Sequence, residues 1–150
     1  MARIAQLGIA LGALGAILAL MGLFPSLTGI EPTPNIGIVQ IFVILAGFTL
    51  LILGALIYAK FTFYSHSESN LVQQIGTRLA LTGLVFAAIA GLADVLGFGT
   101  HTPASAQDIF LGPLQVVGII GNFILASVGV LIYTVAGTPE DGGNSNESTD

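Results

Sequence analysis

The sequence predicts an all-α integral membrane protein, four transmembrane helices arranged as a tandem repeat of two helical hairpins. Three observations predict it. Of the 150 residues only 7% are charged while 54% are hydrophobic, and mean hydropathy is +0.95. An average soluble domain carries roughly a quarter charged residues, so this chain has too few to cover a water-facing surface. Four continuous apolar stretches, at about 4–24, 36–59, 75–98 and 109–136, are each long enough to cross roughly 30 Å of hydrocarbon at about 1.5 Å rise per residue. Finally, sliding the chain on itself by 75 residues, half its length, brings distinctive residues onto their own kind.

The stretches read as helices because apolar residues run continuously instead of alternating, as barrel strands would. In the first, Gly8, Gly12 and Gly15 are spaced for close helix packing; van der Waals contact between backbones must replace the hydrophobic drive that lipid does not supply. This stretch exceeds the usual length of a signal-peptide core, and no small-residue cleavage site precedes Pro25, so it belongs to the fold. Pro25, Pro32 and Pro34 break the chain before the second stretch. A polar connection follows over 60–74, containing Ser65, His66, Ser67, Glu68, Ser69 and Asn70. The third stretch repeats the small-residue pattern with Gly83, Ala87, Ala90 and Gly91, and Gly99 and Pro103 mark the next connection. Pro113 fits the first turn of the fourth helix, where a missing N–H loses no bond. Residues 137–150 contain no apolar side chain and are expected to form a disordered acidic tail on the cytoplasmic side.

At the 75-residue offset Arg3 falls on Arg78, Gly8 on Gly83, Gln40 on Gln115, Phe48 on Phe123 and Tyr58 on Tyr133. Matches of Leu, Ile and Ala are cheap in apolar helices; coincident Arg, Gln, Phe and Tyr without gaps are not. The repeats are placed at about 1–62 and 76–136 within a transmembrane domain over 1–136. A two-helix unit returns the chain to its starting side, so the copies share one orientation and a pseudo-twofold axis along the membrane normal.

Orientation follows from the basic residues. Arg3, Lys60 and Arg78, all the Lys and Arg in the chain, fall on one side of a four-helix topology. The positive-inside rule makes that side cytoplasmic, with both termini. Tryptophan is absent, leaving Tyr58, Phe61, Phe63, Tyr64 and Tyr133 as the aromatic band there.

The absence of cysteine excludes disulfides, thiolate chemistry and Cys-based metal sites. Three basic residues exclude a nucleic-acid surface. No catalytic motif is present, so no enzyme activity, cofactor or metal is expected. His101 and Asp108 share a connection on the side of Glu31 and could bind a divalent metal, but their spacing is not diagnostic and a solvated polar loop is the expectation. The Asn146-Glu147-Ser148 sequon lies in the tail assigned to the cytoplasm, away from glycosylation.

Four polar positions inside the apolar stretches are the candidate intramembrane site: Asp94, Gln40, Gln115 and Asn122. An intramembrane carboxylate is costly and marks function by default, the alternative being shallow contact with headgroup water. Gln40 and Gln115 are expected to hydrogen-bond across helices. The first copy carries Ala19 and Gly47 where the second carries Asp94 and Asn122, so specialisation is expected in the second hairpin. The leading expectation is a small non-enzymatic membrane protein, an oligomerising scaffold or an accessory subunit of a membrane complex. The alternative is a small transporter or channel with a polar path near those four residues, and an intramembrane enzyme or a quinone- or lipid-binding subunit is the third class. Its expected partners are the lipid bilayer and either further copies of the chain or other membrane subunits.

Overall fold

The computed structural model describes residues 2–29, 37–64, 69–93, 96–97 and 112–136. They form four α-helices: α1 (Ala2–Leu23), α2 (Ile38–Phe63), α3 (Leu71–Leu92) and α4 (Pro113–Val135), with a short 3-10 helix at Pro25–Thr28 after α1. All four α-helices are long and apolar enough to cross a bilayer. Large apolar side chains stand exposed along every one of them, among them Leu7, Phe42, Val85 and Leu131.

The helix ends show where local chemistry overrides hydropathy. α3 starts four residues before its apolar stretch because Asn70 and Gln73 form a capping box. The Gln73 N–H donates to Asn70 Oδ1 at 2.8 Å and the Asn70 N–H donates to Gln73 Oε1 at 3.2 Å, satisfying two donors at that helix start. α4 starts at Pro113 as expected, later than its apolar stretch; the Gly112 N–H donates to Gln115 Oε1 at 2.8 Å.

Asn70 has a second task. Its Nδ2 donates to the carbonyl of Ala136 at 2.6 Å, and the Tyr64 hydroxyl donates to the carbonyl of Thr134 at 2.6 Å. The carbonyls at the end of α4, which have no partner within their own helix, are thus held by the end of α2 and the start of α3. Asn70→Ala removes both the cap and this tie and is expected to lower stability by about 2 kcal/mol. Asn70→Asp keeps the cap but sets a carboxylate against the Ala136 carbonyl, so it should recover less than half of that loss in a detergent melt.

Helices α1 and α2 form one close pair, α3 and α4 the other, and α2 also touches α3 and α4. Among the described residues α1 touches no α-helix but α2, so the contact between α2 and α3 has no counterpart between α4 and α1. The core between the hairpins contains Ile41, Leu45, Ile52, Leu84 and Phe123.

Within each hairpin the backbones meet at glycines. A Cβ built on Gly8 would lie 2.7 Å from Tyr58 N, and one on Gly54 would lie 2.5 Å from Gly12 N. In the second hairpin a Cβ on Gly76 would lie 2.8 Å from Tyr133 N, and one on Gly129 would lie 2.5 Å from Ala80 N. Gly15 faces the Gly47 carbonyl as Gly83 faces the Asn122 carbonyl, both at 2.6 Å from the built Cβ. The second helices therefore correspond at a difference of 75 (54 with 129, 58 with 133, 47 with 122). The first helices correspond at 68 (8 with 76, 12 with 80, 15 with 83). The ungapped pairing of Gly8 with Gly83, and of Arg3 with Arg78, is not the pairing these contacts show. Six of the seven residues fall in the connections, 24–37 in the first hairpin and 93–112 in the second, and α3 runs one residue further than α1 in this register.

Candidate functional site

Of the four polar positions singled out from sequence, Asp94 lies outside the described residues, as do His66, His101, Glu31 and Asp108. The other three are placed, and each is engaged with backbone. Gln40, on the first turn of α2, donates from Nε2 to the Gly22 carbonyl at 2.7 Å. This is the expected cross-helix bond, made possible because Gly22 has no side chain to hold α1 away. Gln115 serves the start of its own helix, and Asn122 donates from Nδ2 to the Gly118 carbonyl one turn earlier at 2.7 Å. The hydroxyls of Thr49 and Ser127 likewise bond carbonyls four residues back, Leu45 and Phe123. A polar group so engaged is cheaper to keep in an apolar setting than an unpartnered one.

The α2–α4 seam opens into an apolar cleft of about 480 Å³, walled by Leu23, Ile41, Leu45, Phe48, Ile120 and Phe123. Its one polar lining residue is Ser127, whose hydroxyl is turned to its own helix. The cleft lies beside the end of α1, where α1 and α4 fail to meet. Gln40, Gln115 and Asn122 line neither this cleft nor a second cavity at the other end of the seam. Its chemistry is that of shape: it can hold an acyl chain or an apolar side chain, and it offers no general acid, base or nucleophile.

What sequence reasoning missed here is lateral adjacency. Phe48 and Phe123 were matched as repeat mates, and the structure stacks their rings with centroids 4.3 Å apart and planes at 29°. Comparison with protein-family models, with characterised proteins and with solved structures finds no match for this chain.

Proposed function

We propose that the chain is an integral membrane protein whose four helices cross the bilayer with both termini in the cytoplasm, and that it is a non-enzymatic oligomerising scaffold or accessory subunit. The observation that carries this reading is α1. Among the described residues it packs on no other α-helix than α2, leaving an apolar cleft beside α4, while Gln40, Gln115 and Asn122 bond backbone. In lipid, association rests on close fit between helices, and an incomplete seam with small residues nearby favours further helices as its complement. Gly121 on α4, with nothing within 4 Å of a built Cβ, adds an open small-residue position.

We propose also that the hairpins descend from one duplicated unit, the second copy having a longer connection between its helices. The matching backbone contacts support this, as does the Phe48–Phe123 stack, in which a residue meets its own counterpart as across an isologous interface. The missing α1–α4 contact marks where the second half has departed from the twofold.

The reading is tested by purification in mild detergent followed by mass measurement of the intact particle. A stable homo-oligomer or a stoichiometric membrane partner is expected; a monodisperse monomer with no partner sinks it. Topology is checked separately, since the chain has no native cysteine. Cysteines introduced at Ser67 and Ser145 should react only from the cytoplasmic side and one at Ser105 only from outside. Labelling of Ser67 and Ser105 from the same side defeats the four-crossing arrangement.

A further inference from the structure

Two of the three basic residues in the chain, Lys60 and Arg78, line a single cavity of about 430 Å³ between the end of α2 and the start of α3. Ser69, Gln74 and Thr77 add polar groups to it, and Leu56 and Phe61 form apolar wall. Lys60 stands one turn before the end of α2, and Arg78 about two turns into α3. Both side chains are long enough to rest their stems on apolar surface while the charges reach the opening. No ion pair involves either of them among the described residues, and all eight acidic residues lie outside that set.

The cavity also receives Tyr133 from α4. Tyr133 is 4% exposed, and its hydroxyl is one of two buried side-chain polar atoms without a hydrogen-bond partner among the described residues, the other being Gln73 Nε2. The Ser69 side chain lies close to this hydroxyl. An orphaned buried hydroxyl is unfavourable unless something arrives to accept its proton. Gln74 has one Nε2–H engaged with the Ser69 carbonyl at 3.2 Å and the other unassigned, while Thr77 gives its hydroxyl proton to the Gln73 carbonyl at 3.0 Å. The donors left over are therefore an ammonium, a guanidinium, a phenol, an amide N–H and the Ser69 hydroxyl. That set suits a tetrahedral oxyanion carrying several acceptor oxygens.

We propose that this cavity binds a phosphate group, and that its source is the headgroup of an anionic phospholipid. The apolar wall at Leu56 and Ile57 lies about one turn deeper along α2 than Lys60, which suits a ligand whose acyl chains continue into the bilayer. Free phosphate shares the headgroup chemistry but gains nothing from that wall. The lipid source rests on the chain being an integral membrane protein, and the two are tested apart. Recovery in the membrane pellet after an alkaline carbonate wash tests membrane insertion; failure there ends the lipid assignment together with that reading.

For the site itself, the purified, delipidated full-length protein is melted with phosphatidylglycerol, with phosphatidylcholine and with inorganic phosphate at matched ionic strength. Phosphatidylglycerol is expected to raise the melting temperature most. Lys60→Gln and Arg78→Gln should each weaken its apparent affinity about fivefold, whereas Arg3→Gln, the same charge change outside the cavity, should not. Tyr133→Phe is the decisive variant: it should leave the lipid-free melt unchanged or slightly higher and weaken phosphatidylglycerol binding. Equal response to both lipids, or equal loss in Arg3→Gln, overturns the site. Stabilisation by inorganic phosphate alone overturns the lipid assignment. A phosphatidylglycerol preference that appears only in Glu68→Gln shows that the chain's own carboxylate fills the cavity, and the proposal fails.

Discussion

Gly54→Leu is expected to destabilise the protein by about 3 kcal/mol or more, at the upper end of what overpacking produces. A Cβ at Gly54 would stand 2.5 Å from Gly12 N and 2.7 Å from Gly8 O. Both neighbours are backbone, so neither can rotate aside, and α1 must move away from α2. That movement would also stretch the Gln40 bond to the Gly22 carbonyl. In the proposed bilayer setting lipid supplies no hydrophobic force to hold the displaced helices together, so the lost close contact is not offset by burial elsewhere. Gly129→Leu should cost a similar amount, its Cβ standing 2.5 Å from Ala80 N and 2.6 Å from Gly76 O. Gly12→Ala is the control. Nothing lies within 4 Å of a Cβ there, and the corresponding position of the second hairpin already carries Ala80. The alanine should be neutral or slightly stabilising, since glycine is a poor helix former. Unfolding midpoints in a detergent–denaturant titration decide the matter. If Gly54→Leu melts with the wild type, the α1–α2 contact does not run along these glycines.

Those same glycines show why the fold was only partly legible in the sequence. The four spans were plain, because continuous apolar length is a one-dimensional property. The start of α3 was missed although its Asn70-x-x-Gln73 signature is present, because polarity over 60–74 outweighed a cap that acts through two backbone groups. The 75-residue slide departs from the glycine contacts of the first helices for a different reason. Gly76 and Gly83 are seven residues apart, as are Gly8 and Gly15, so Gly8 lands on glycine whether the slide is 75 or 68. A heptad of small residues is degenerate to a shift of about two turns, and the length of a connection is not constrained by either helix. Only the contacts break that degeneracy.

The polar positions divide along similar lines. The reach of Gln40 to α1 was readable from its depth and type, whereas Gln115 turned to its own helix start. The Lys60–Arg78–Tyr133 cavity was not readable at all. It is assembled from three helices, and its main signal is a hydroxyl left without a partner, which is a property of packing and not of residue order.

Phe123→Ala is expected to separate the hairpins while leaving each one paired. Phe123 is 7% exposed and stacks on Phe48, so its ring is the largest single contribution of α4 to the core shared with α2. Truncating such a ring in a soluble core costs about 3–5 kcal/mol. In the proposed bilayer part of that figure is lost because the separated surface meets lipid instead of water, leaving the stacking and the void. About 2–3 kcal/mol is the expected penalty. It falls on the seam between α2 and α4, since the glycine contacts of α1 with α2, and of α3 with α4, lie elsewhere. A protease site introduced at Ser67 makes the seam measurable. After cleavage, the two halves of the wild type should migrate together in mild detergent, and those of Phe123→Ala should separate. Phe48→Ala should do the same, because it removes the other ring of the stack, and Phe123→Leu should do so less. Halves that stay together in both alanine variants would show that the hairpins are held by the α2–α3 contact and that the aromatic pair merely fills space between them.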